Sequence, residues 1–174
     1  MTAQNGPHIL RRLAAKEGFT PAVTRHVLTR RAMTKLKHIA IATPDPEKTA
    51  EFFKNVFDLQ EVGRVDNDNA VGYYLSDGSI NLAVLKFRNP VVAGSEFGTD
   101  YAGIHHIGFQ VDDAEATEAK LRQNNSTPRD DINSALNSSM GSGHGGRNVE
   151  TKYSGPDGIM IDISQSGWVG TDGE

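Results

Sequence analysis

Four residues of this 174-residue chain stand in patterns that could do chemistry: His38, Asn81, His106 and Asp162. Each lies in a short stretch that alternates aliphatic with small or polar residues, as a half-buried strand does. In HIAIA, His38, Ala40 and Ala42 share one face, opposite Ile39 and Ile41. In HIGFQV, His106, Gly108 and Gln110 oppose Ile107, Phe109 and Val111. In INLAV, Asn81 and Ala83 oppose Ile80, Leu82 and Val84, and in IMIDIS, Asp162 and Ser164 oppose Ile161 and Ile163. A face with His, Asn, His and Asp among Ala and Gly is poor core material, because an unpaired buried polar group costs about 1–3 kcal/mol. It reads as the wall of a wet or metal-containing cleft. His105 falls on the face of Ile107 and Phe109, so alternation makes it a packing residue.

Composition narrows that chemistry. There is no cysteine, which excludes disulfides, thiolate metal sites and cysteine nucleophiles. A metal site must use His, Asp, Glu or amide oxygens, a donor set suited to Zn, Mn, Co, Ni, Fe or Mg. Of the 18 basic and 22 acidic residues, six and one fall within residues 1–33, leaving 12 and 21 in the rest. An acidic body argues against a nucleic-acid partner. No run approaches the roughly 20 apolar residues of a membrane span, so no membrane partner is expected. Residues 1–33 are Arg-rich and acid-poor, as organelle-targeting peptides are, but hold no serine and no secretory apolar core. They are read as a leader or appendage. The remainder is expected to be cytoplasmic, with an organelle address for the leader as the alternative.

An internal repeat positions the four residues. KHIAIATPDPEKTAEFFKNVF and HHIGFQVDDAEATEAKLRQNN share His, Ile, a small residue, an apolar residue, an acidic turn and a helix. His38 matches His106 and Asp45 matches Asp113. Asp45 can cap the first helix with Pro46 at its first position, and Ala50, Phe53 and Phe57 make its apolar stripe. In the second helix, Asp112 or Asp113 caps, and Ala114, Thr117 and Leu121 make a thinner stripe. EVGRV, AVGYYLS and INLAVLKF read as strands, with SDGS as a hairpin turn. NVETKYS, GPDG and IMIDIS repeat that ending. The fold expected is α+β: two tandem βαβββ units whose curved mixed sheets flank a cleft. Residues 34–174 then form one domain, with unit one at about 35–98 and unit two at about 99–168. The interval from His106 to Asp162 is 13 residues longer than that from His38 to Asn81. The excess falls in NSALNSSMGSGHGGRN, read as a long loop and candidate lid.

The duplicated units, GIHHIGFQVDD and GPDGIMIDIS resemble the vicinal oxygen chelate superfamily, over about residues 35–168. That superfamily includes glyoxalase I, methylmalonyl-CoA epimerase, extradiol dioxygenases and fosfomycin- and bleomycin-resistance proteins. The resemblance implies metal ligands on the first and last strand of each unit, which here are His38, Asn81, His106 and Asp162. Asn81 and Asp162 are each one methylene shorter than the epimerase pattern of Gln and Glu. His38, His106 and Asp162 alone resemble the iron site of the extradiol dioxygenases.

The resemblance implies a divalent-metal-dependent isomerase or lyase that moves a proton through a metal-stabilised enolate of a small carbonyl or thioester compound. The alternatives are an extradiol-type dioxygenase and a non-catalytic, resistance-type binding protein. Asp162 and His144 are the candidate catalytic bases. Lys86, Arg88 and Arg147 could meet an anionic carrier, and Tyr73 or Tyr74 could lie near the cleft. The family often completes its clefts by subunit pairing, which implies a homodimer.

Overall fold

The computed structural model describes residues 33–138 and 150–171. His144, Arg147 and the leader lie outside these residues. Strand β1 (Lys35–Ala42) leads into helix α1 (Pro46–Phe57). Asp45 Oδ1 accepts from the Lys48 amide at 3.0 Å, so the cap forms as expected. Ala50 is buried and Phe53 half-buried against Leu75, Leu82 and Val84. Phe57 is 58 % exposed, so it does not extend that stripe into the core. It instead joins Phe52 and Phe53 in a cluster of aromatic contacts.

Strands β2 (Gln60–Asp66), β3 (Ala70–Ser76) and β4 (Asn81–Phe87) follow as an antiparallel meander. Asp77 makes the turn into β4, its Oδ1 accepting from the amides of Ser79 and Ile80 at 2.8 Å each. A one-turn helix α2 (Pro90–Ala93) leads towards β5 (Gly103–Gln110). Helices α3 (Ala114–Gln123) and α4 (Asp130–Ser138), then β6 (Thr151–Ser154) and β7 (Met160–Ser164), complete the order. No helix among the described residues is long and apolar enough to cross a membrane.

The α+β class and the mixed curved sheet are as expected. The two halves join into one seven-stranded sheet, in the order β2-β3-β4-β1-β5-β7-β6. β1 lies parallel to β4 and β5 parallel to β7, and the antiparallel β1–β5 pair fuses the halves. The second half departs from βαβββ. Where its first meander strand was expected, Pro128 makes an isolated bridge to Tyr153. The bonds of this bridge flank the proline, from Ser154 N–H to the Thr127 carbonyl and from Arg129 N–H to the Lys152 carbonyl, and pairing ends where the chain enters α4 at Asp130. The expected loop is also shorter. Asp130 and Asp131 favour a helix start, Ile132 is fully buried, and Ala135 and Leu136 pack on the core. Thus NSALNS belongs to α4.

The polar-and-small sheet face is not an open wall throughout. Ala40, Ala42, Ala83, Leu85 and Phe87 pack with Val92 and Ala93 of α2, and Ala135 and Leu136 of α4 lie against them. The small side chains leave room for these covering helices.

Candidate metal centre

His38 and Asn81 face each other in register across β1 and β4. Asn81 Nδ2 donates to the Val169 carbonyl at 2.8 Å, which orients its amide. Its Oδ1 therefore accepts from His38 Nδ1, also at 2.8 Å. With the proton on Nδ1, the neutral His38 ring keeps its lone pair on Nε2. Nε2 lies 3.1 Å from His106 Nε2.

His106 and His105 both face this region, against the alternation rule. Ala40 pairs with His106 but Ile41 pairs with Ile104, so His105 is an extra residue in β5. This is a β-bulge, which re-aims side chains. It leaves Ile104 on the outer face, 62 % exposed, and turns His105 inward. There His105 meets the rings of Phe87, Phe97 and Tyr101. Its Nε2 is 2.8 Å from the Ala93 carbonyl and its Nδ1 is 2.8 Å from His106 Nδ1. His105 is buried among rings as a packing residue would be, but the expected face, that of Ile107 and Phe109, is corrected.

Asp162 is not the register equivalent of Asn81. Met160 pairs with His106 as Asn81 pairs with His38, while Asp162 lies two residues further, beside Gly108. The offset explains why Asn81 meets a histidine Nδ1 and Asp162 meets a histidine Nε2. Asp162 Oδ2 is 3.3 Å from His106 Nε2. The same oxygen takes Lys152 Nζ at 2.6 Å, and Lys152 also donates to Glu150 Oε1 at 3.1 Å. Glu150 Oε2 accepts from the Trp168 indole at 2.7 Å, and that indole stacks on His38 with centroids 5.0 Å apart. His38, Trp168, Glu150, Lys152, Asp162 and His106 thus close a ring of contacts. Gly108 makes the seat: a Cβ there would lie 2.6 Å from a Trp168 ring carbon and 2.8 Å from His38 Cβ.

The sequence profile of the Glyoxalase/Bleomycin resistance protein/Dioxygenase superfamily matches residues 35–163, most of the chain. The chain belongs to this superfamily. Human mitochondrial methylmalonyl-CoA epimerase is 30 % identical over 93 residues, 51 % of this chain and 53 % of the relative. The chain thus matches about half the length of that relative. A hypothetical protein from Bacillus halodurans C-125 superposes with a TM-score of 0.55 at 19 % identity, over 75 % of this chain and 93 % of its own. A variant of Streptomyces coelicolor methylmalonyl-CoA epimerase, in complex with 2-nitronate-propionyl-CoA, gives 0.52 at 21 %, over 74 % and 94 %. At these identities the structural likeness shows the fold.

The residues of this superfamily member fit a divalent cation. His38, His106 and Asp162 offer one donor atom each, all within 4.8 Å of one another. Tetrahedral ligands about 2.0–2.1 Å from an ion lie about 3.3 Å apart, close to the observed 3.1 and 3.3 Å. Asp162 Oδ1 is the one buried side-chain polar atom without a hydrogen-bond partner among the described residues. Burial, reinforced by the Lys152 charge, holds His106 well below its ordinary pKa, so its ring is neutral. Burial pushes His105 down to about 4, against the pull of the Ala93 carbonyl. Burial lifts Asp162 to about 8, with the Lys152 ammonium opposing. The carboxylates of Asp162 and Glu150 raise Lys152, outweighing its burial. With Asp162 ionised, as a bound cation would require, two carboxylates against one ammonium give the cluster net −1.

His38, His106 and Asp162 are therefore brought together. Asn81 is beside them, but its oxygen is turned to His38 Nδ1. Arg88 is engaged by Asp66 and the Asn67 carbonyl, while Lys86 is exposed. Tyr74 is buried and Tyr73 packs on the α1 face. Sequence reasoning missed His105, Glu150, Lys152 and Trp168. Lys152 had a usable signal, since pairing around GPDG places it directly opposite Asp162.

Proposed function

We propose that the chain is a metal-dependent isomerase or lyase that moves a proton next to the carbonyl of a small carbonyl compound or thioester. The observation that carries this reading is the spacing of His38 Nε2, His106 Nε2 and Asp162 Oδ2 in a buried, anionic group. The identity to a methylmalonyl-CoA epimerase over 93 residues supports a thioester substrate. His38, His106 and Asp162 would hold the ion. When bound, a divalent ion there would polarise the substrate carbonyl and stabilise the enolate. Asn81 keeps the His38 lone pair on Nε2. Lys152 holds Asp162 Oδ2, leaving Oδ1 as the atom that takes the substrate proton and returns it. The test is exchange of the α-proton of methylmalonyl-CoA in D2O, followed by NMR with Zn, Mn, Co, Ni, Fe(II) or Mg supplied in turn. Exchange that disappears in Asp162→Asn supports the reading, and no exchange with any metal counts against it.

One observation favours a second reading. Because Asn81 presents no oxygen to the centre, the donor set is two histidines and one carboxylate, as in non-haem iron oxygenases. Oxygen uptake with Fe(II) and a catechol, without α-proton exchange, would select it.

A further inference from the structure

We propose that His105 is a positioning residue that sets the tautomer and ring orientation of His106. His105 reaches the site face only because of the β5 bulge, which gives up regular pairing at that residue. Aromatic rings wall its sides, so its two nitrogens are its polar outlets. The Ala93 carbonyl can only accept, which puts the His105 proton on Nε2. Nδ1 of the neutral ring then carries a lone pair. Across the 2.8 Å between the two Nδ1 atoms one proton must lie, and it belongs to His106. The opposite polarity would aim two lone pairs at each other at the Ala93 carbonyl. His106 is thereby the Nδ1–H tautomer, with its Nε2 lone pair directed at His38 Nε2 and Asp162.

The two repeats thus meet one requirement with different residues. In the first, Asn81 Oδ1 accepts the Nδ1 proton of His38. In the second, Met160 holds the register position of Asn81 and has no such acceptor, so the bulged His105 supplies it. Partners of this kind fix ligand histidines and are worth 10–100-fold in metal affinity. Both steps rest on the metal reading above, because only an ion between them lets the Nε2 lone pairs of His38 and His106 face each other at 3.1 Å.

The experiment is a long-range 1H–15N correlation spectrum of the zinc-loaded protein with 15N-histidine, for wild type, His105→Phe and His105→Gln. Metal affinity is measured in parallel by chelator competition. In wild type, His106 Nδ1 should carry the proton. His105→Phe, which keeps the ring packing, should weaken metal binding about 10–100-fold. His105→Gln, whose amide oxygen can accept, should restore much of the affinity. A wild-type His106 without a proton on Nδ1 overturns the proposal, and so does an unchanged metal affinity in His105→Phe. Should His105→Phe fail to fold, the wild-type spectrum and the His105→Gln affinity still decide. A wild type that binds no zinc would defeat the metal reading and the proposal with it, whereas zinc binding that ignores His105 would defeat the proposal alone.

Discussion

Lys152 and Asp162 face each other across the β6–β7 hairpin, and their Nζ and Oδ2 atoms are 2.6 Å apart. Both side chains are buried, and Asp162 has no other cationic contact among the described residues unless His106 is protonated. Removing one member of a buried pair leaves a charge without compensation, at a cost of about 3–5 kcal/mol. Lys152→Met should lose stability on that scale in urea unfolding of the metal-free protein. Lys152→Met with Asp162→Leu should lose less than the sum of the two single variants. A neutral Lys152→Met would show that the pair is not what keeps Asp162 in place.

Gly108 is predicted to be intolerant of even one methyl group. The added Cβ would overlap the Trp168 ring and His38 Cβ. Overpacking of this kind costs about 1–3 kcal/mol. Trp168 is the sole tryptophan in the chain, so its fluorescence reports directly on the seat. Gly108→Ala should red-shift its emission and lower the unfolding midpoint. An unchanged spectrum would mean that the indole does not rest on β5.

Asn81 separates a ligand from an orienting residue. Asn81→Ala removes the acceptor at His38 Nδ1 and the donor to the Val169 carbonyl. It should weaken metal binding about 10–100-fold, whereas His38→Ala should abolish it. Asn81→Asp, which keeps an acceptor, should fall between wild type and Asn81→Ala. Equal loss in Asn81→Ala and His38→Ala, read by chelator competition, would restore Asn81 as a ligand.

The buried histidines give the metal-free protein a defined acid response. His105 titrates at about 4 when folded, because burial opposes its charge, and near 6.5 when unfolded. Between these values the unfolded chain binds more protons, so stability rises with pH and falls on acidification. The loss should begin as pH drops through 6.5, and the His105 share, about 3 kcal/mol, should be complete below about 4. His106 adds to it in the same direction. Urea midpoints from pH 7.5 to 4.5 should fall less steeply for His105→Phe than for wild type. Parallel curves would remove His105 as a source of the effect.

Much of this architecture was legible in the residues. The Asp45–Pro46 cap, the SDGS turn and the alternation in β1, β4 and β7 mark elements that the structure contains. His38, His106 and Asp162 were legible because polar residues among Ala and Gly sit badly in a core. The departures have local causes. A bulge adds one residue and defeats the alternation rule from that point, which misplaced His105. Aligning the repeats by residue type hid the two-residue offset between Asn81 and Asp162, which only the strand register reveals. Residues 127–129 pair with β6 only until α4 begins at Asp130, where repeat symmetry alone would supply a longer strand. Trp168 lies at the end of the second unit, after IMIDIS, where the first unit offers no matching residue, so no internal match pointed to its place on His38.

Everything proposed for the centre depends on His38, His106 and Asp162 forming a cation site. Elemental analysis of the purified protein, after reconstitution and desalting, tests it most directly when wild type is compared with His106→Ala. About one divalent ion per chain is expected in wild type, and none in the variant. Wild type without bound metal after exposure to each of the candidate ions would contradict it.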